Sequence, residues 1–120
     1  MDHKDLEYFR KLLTGMLEEA QQKGDSTLEE LTDSNEVFAD PADRATAESD
    51  RAFTLRIRDR ERRLIRKIQA AITRIDDGTY GICEECGDDI SIARLKARPV
   101  TRLCINCKAK QEEDEHLRGD

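Results

Sequence analysis

The chain has 120 residues, 40% of them charged and only 4% aromatic, with a net charge of −6 at pH 7. So short and so charged a chain cannot build a large packed core, and it has no tryptophan to fill one. No apolar run reaches the roughly 18 residues of a membrane span, and Met1-Asp2-His3-Lys4-Asp5 lacks the basic and apolar start of a secretory signal.

Residues 4–31 read as helix. Leu6, Phe9, Leu13, Met16 and Ala20 alternate at spacings of three and four, the pattern of a coiled-coil seam. Gly24 and Asp25-Ser26 interrupt it before Leu28 and Leu31 resume the stripe, so a loop or a kink is expected there. Residues 32–39 have turn composition. Asp40-Pro41-Ala42-Asp43 then gives a helix start: Asp40 as N-cap, Pro41 as first helical residue, Asp43 favoured by the macrodipole.

From Pro41 to about Asp77 there is no glycine and no further proline. Phe53, Ile57, Leu64, Ile68, Ala71 and Ile75 mark the expected seam, with Arg60 or Glu61 crossing it. Gly78 is placed to end the helix. Some 37 residues at about 1.5 Å each span roughly 55 Å, too long for this composition to support alone. The first helix is the natural antiparallel partner. The expected fold is mainly α: a long antiparallel coiled-coil hairpin over residues 1–78, with its tip near 33–45, then a small cysteine-rich region and a C-terminal helix over 79–120.

Charge is segregated along this plan. Residues 25–50 carry nine acids against one arginine, and residues 51–67 carry eight bases against two acids. Such segregation gives different surfaces to different partners. The basic run is a solvated helix face or a nucleic-acid footprint. The absence of interleaved stacking aromatics and the acidic whole argue against direct DNA binding.

Cys83-x2-Cys86 and Cys104-x2-Cys107 stand seventeen residues apart. This is the two-knuckle spacing of a zinc site, in which four thiolates close a tetrahedron around one ion. Two disulfides or four free thiols are the alternatives; disulfides are rare in the cytoplasm, where this chain is expected. A closed site of four cysteines leaves no position for substrate, so the ion is structural. A thioredoxin-like reading needs a βαβ context, which is missing.

These residues carry a resemblance. Asp40-Pro41-Ala42-Asp43-Arg44-Ala45, the block Arg58 to Ile65, Tyr80-Gly81-Ile82-Cys83-x-x-Cys86-Gly87 and Ile92-x-Arg94-Leu95-x-Ala97-Arg98-Pro99 resemble the DksA/TraR family over residues 35 to 112. The resemblance implies a non-enzymatic transcription regulator that binds bacterial RNA polymerase through the secondary channel and rim, without binding DNA. It implies a tip motif, here Asp40, Asp43 and Ala45, acting near the polymerase active site. It implies less stable open promoter complexes, repression of ribosomal RNA promoters and activation of some biosynthetic promoters. It also implies ppGpp binding with the polymerase at Leu64, Lys67, Arg98 and Lys108. A Gre-like transcript-cleavage factor uses a similar hairpin but lacks the four-cysteine zinc region; a zinc-finger nucleic-acid binder is a further alternative.

Overall fold

The computed structural model describes the backbone of residues 1–33 and 41–118, and the side chains of residues 1–24 and 44–118. Its helices are α1 (His3–Asp33), α2 (Pro41–Asp77), α3 (Ile92–Ala97) and α4 (Ile105–Leu117). There is no named strand among the described residues, only an isolated antiparallel bridge between Ile82 and Asp89. The fold is mainly α, as composition and periodicity suggest. No helix among the described residues is long and apolar enough to cross a membrane.

Two sequence expectations are corrected. α1 is unbroken through Gly24 to Asp33, so no loop lies at Gly24–Ser26. A single interior glycine costs about 1 kcal/mol, too little by itself to end a helix.

The second correction concerns the seam of α2. Ile68, Ala71 and Ile75 are buried as expected, but Phe53 is 58% exposed, Ile57 37% and Leu64 38%. The half-buried positions before Ile68 are instead Ala47, Thr54, Arg58, Glu61 and Ile65. From Thr54 these continue through Ile68, Ile72 and Ile75 at alternating spacings of four and three, with Ala47 two turns before Thr54. Two stripes lie side by side on α2, one residue and so about 100° apart. The apolar residues follow the outer stripe in the first half of the helix. On the inner stripe the polar residues Thr54, Arg58 and Glu61 are half-buried where leucines would be expected.

The chain falls into two compact units, residues 1–14 with 68–120, and residues 15–67. In the first, Phe9, Leu13, Ile68, Ala71, Ile75, Tyr80, Cys83, Ile90 and Leu95 are buried. The Phe9 ring packs on Tyr80 at 5.5 Å between centroids and on Tyr8 edge-on at 5.1 Å. Lys96 lies over the Tyr8 ring at 5.6 Å, and Arg10 pairs with Asp76. The start of α1, the end of α2 and the cysteine region thus share one core. In the second unit, Met16, Leu17, Ala20 and Ile65 supply apolar cover, and Glu61 Oε2 approaches Gly24.

α2 ends as its sequence predicts. Gly78 adopts φ 78°, a left-handed conformation that glycine reaches without a Cβ penalty. The Thr79 N–H donates to the Arg74 carbonyl at 2.9 Å and the Gly78 N–H to Ile75 at 3.2 Å. This is the Schellman pair that satisfies carbonyls at a helix end, and it turns the chain toward the first cysteine.

Ile68→Ala removes a fully buried side chain and is expected to cost about 2–5 kcal/mol. Phe53→Ala, on the outer stripe, is expected to cost under about 1 kcal/mol. Urea unfolding of both variants checks the assignment; equal losses would restore Phe53 to the seam.

Candidate metal centre

The first knuckle is built on the Ile82–Asp89 bridge. The Cys83 N–H donates to Asp88 at 2.8 Å, the Ile90 N–H to Gly81 at 2.7 Å, and the Gly87 N–H back to Cys83 at 2.9 Å. Gly87, at φ 77°, turns the chain after Cys86 so that Asp88 and Asp89 return beside Cys83 and Ile82. The second knuckle opens α4. Cys104 is the N-cap, and its sulfur accepts the Cys107 N–H at 3.5 Å. The knuckles are tied together by the Glu84 N–H, which donates to Arg102 at 2.9 Å.

All four sulfurs lie within 4.8 Å of one another, and none is in a disulfide. Cys86 Sγ and Cys104 Sγ are 3.8 Å apart. A zinc ion about 2.3 Å from each of four sulfurs requires tetrahedron edges of about 3.8 Å. The donor set, its spacing and its geometry therefore fit one zinc ion with no further ligand position.

The thiols are not equivalent. At Cys83 burial opposes ionisation, but the backbone N–H groups of Cys104, Cys86 and Glu85 outweigh it and draw the thiol down to about 6. Cys107 is pushed up to about 12, first by its thiol neighbour Cys104 and then by Cys83, burial and Cys86. Four thiolates gathered so closely repel one another, and a divalent cation is what permits all four to ionise.

Two family models match in succession: the DnaK suppressor protein DksA, N-terminal domain, over residues 5–75, and the prokaryotic dksA/traR C4-type zinc finger over residues 78–113. The chain belongs to the DksA family. The DksA of Caulobacter vibrioides, an RNA polymerase-binding transcription factor, is 42% identical over all 120 residues and 84% of its own length. The Escherichia coli K12 protein of the same description is 40% identical over 93% of this chain and 74% of its own. Transcription factor DksA2 from Pseudomonas aeruginosa superposes with a TM-score of 0.90 at 38% identity, covering 97% of this chain and 89% of that one. The DksA C4 zinc finger is thus the identity of the four-cysteine cluster, and the cofactor is one structural zinc.

The other positions singled out in the sequence fare differently. Asp40 lies outside the described residues. Asp43 sits in the first turn of α2, with its side chain outside them. Ala45 is exposed, one turn from the start of the helix. Leu64 and Lys67 are exposed one turn apart on α2, in the second unit; Arg98 and Lys108 belong to the first. Arg98 is exposed, while Lys108 is half-buried and donates through Nζ to Gln111 at 3.2 Å. His3 and His116 are exposed.

Periodicity and motif spacing missed Tyr80 as an organiser of the finger. It is 3% exposed and its hydroxyl donates to the Pro99 carbonyl at 2.8 Å. The signal available was a tyrosine three residues before the first cysteine, in a chain with two tyrosines in all.

Cys83→Ser is expected to release the zinc and melt the first unit's finger; metal content and circular dichroism check this, and retained stoichiometric zinc would contradict it. Burial pushes the Tyr80 phenol up to about 12, against the opposing pull of Arg74. Its folded value lies above the unfolded one, so its contribution to stability is complete below pH 10 and is lost as the pH rises toward 12. Tyr80→Phe is expected to cost about 1 kcal/mol at neutral pH, because the Pro99 carbonyl loses its donor. The variant should lose stability less steeply than wild type above about pH 10 in denaturant titrations.

Proposed function

We propose that this chain binds bacterial RNA polymerase and regulates transcription initiation; the Caulobacter and Escherichia relatives are RNA polymerase-binding transcription factors. The observation that carries the reading is the family match along the whole chain together with the closed four-cysteine cluster. The coiled-coil hairpin enters the secondary channel and the finger unit rests on the rim. α2 alone, at 37 residues and about 1.5 Å each, has the length to reach deep into a channel.

In this reading Asp40 and Asp43 bring carboxylates toward the Mg²⁺-bearing catalytic centre of the polymerase, since Mg²⁺ takes oxygen ligands. Ala45 is small enough not to obstruct them. The chain performs no chemistry of its own. It binds one promoter-complex state better than another, and that difference in affinity shifts the equilibrium away from the open complex. Ribosomal RNA promoters are repressed and some biosynthetic promoters activated. Lys67, Arg98 and Lys108 supply charge-assisted bonds to the phosphates of ppGpp, with Leu64 beside Lys67, in concert with the polymerase surface. No direct contact with DNA is required, and the work is cytoplasmic.

The test is in vitro transcription from a ribosomal promoter, with and without ppGpp. Wild type is expected to shorten the open-complex lifetime, more so with ppGpp. Asp43→Asn is expected to bind polymerase nearly as well and to leave the lifetime close to its factor-free value. Full activity of Asp43→Asn would defeat the tip mechanism, and cleavage of backtracked RNA would move the chain to the Gre type.

A further inference from the structure

The stretch 99–103, between α3 and the second cysteine pair, is neither helix nor strand. Backbone carbonyls in such a segment ordinarily turn to water. Here four of the five meet donors from elsewhere in the first unit. The Tyr80 hydroxyl donates to Pro99 at 2.8 Å, Arg74 Nη2 to Val100 at 3.4 Å, and Arg94 Nε to Leu103 at 2.9 Å. The Glu84 N–H takes the Arg102 carbonyl. The loop that delivers Cys104 is therefore held from outside, carbonyl by carbonyl.

Arg94 has a particular place among these donors, because it holds the loop twice. Besides its bond to Leu103, its Nη2 donates to Thr101 Oγ1 at 3.3 Å. The Thr101 hydroxyl donates onward to the Leu103 carbonyl at 3.1 Å and accepts the Leu103 N–H at 3.4 Å. The residue after this closed ring of bonds is Cys104. Arg94 is itself fixed: its N–H donates to Ser91 Oγ at 3.2 Å, its carbonyl accepts the Arg98 N–H at 2.8 Å, and its side chain is half-buried. A guanidinium is a rigid planar fork that spans two acceptors, whereas a lysine ammonium is a single point on a flexible stem.

We propose that Arg94 is a positioning residue of the zinc site, whose guanidinium fixes Thr101 and Leu103 so that Cys104 and Cys107 are held ready for the ion and are slow to leave it. Hydrogen-bonding partners behind metal ligands commonly change metal affinity by about 10–100-fold. Arg94 acts one step further out, through the backbone that carries the ligand. This role is independent of polymerase binding.

The experiment follows zinc transfer from the full zinc-loaded chain to an excess of chromogenic chelator, well below the unfolding temperature. Arg94→Lys is expected to lose zinc about tenfold faster than wild type, with Thr101→Val intermediate. Leu95→Ala, which hollows the same core at a fully buried position, is expected to lower the Tm at least as much while changing the release rate less. Cobalt-substituted Arg94→Lys should also show altered ligand-field bands. Release from Arg94→Lys at the wild-type rate, or release rates that simply follow Tm across the variants, would overturn the proposal. Should Arg94→Lys fail to fold, Thr101→Val decides it: faster release than its Tm predicts supports the role, and a wild-type rate overturns it.

Discussion

Four sulfur atoms within 4.8 Å of one another are an unstable arrangement until a cation joins them. The thiols are unequal: backbone N–H groups draw Cys83 down to about 6 against its burial, while its thiol neighbours, Cys104 first, push Cys107 up to about 12. Zinc removes the conflict and ties residues 83–86 to residues 104–107 through one centre. The rest of the finger unit is arranged around that closure. The Ile82–Asp89 bridge shapes one knuckle and the start of α4 shapes the other. The intervening loop is held by donors from Tyr80, Arg74, Glu84 and Arg94.

The finger does not rest on its metal alone. Its core includes Phe9 and Leu13 from α1 and Ile68, Ala71 and Ile75 from α2, packed with Tyr80, Ile90 and Leu95. A chain with five aromatic residues places Tyr8, Phe9 and Tyr80 together here. This concentration answers the composition: with little apolar material available, one small core serves both the ends of the long helices and the metal-bearing region. In the 15–67 unit the inner stripe on α2 passes through Thr54, Arg58 and Glu61.

Much of the molecule is legible in the sequence. The start of α2 at Pro41 and its end at Asp77 agree with the Asp-Pro and Gly78 signals, because capping and helix termination are local chemistry. The four-cysteine site is legible because a tetrahedral ion imposes a fixed spacing on two turns. The seam of α2 is legible only from Ile68 onward. Before it, hydrophobicity marks Phe53, Ile57 and Leu64, while the side facing inward carries polar residues. Gly24 likewise suggests a break where α1 runs on, since a local preference of about 1 kcal/mol is too small by itself to end a helix.

The sequence by itself determined α2 and its ends, the C-terminal helix, the charge segregation and the metal ligands, all of which depend on neighbours a few residues apart or on the valence of one ion. Tertiary structure alone decided which of two adjacent stripes on α2 turns inward, how 1–14 and 68–120 come to share a core, and which distant donors hold 99–103. Those outcomes depend on partners up to dozens of residues away, such as Phe9 against Tyr80 and Arg74 against Val100, whose meeting no local pattern encodes.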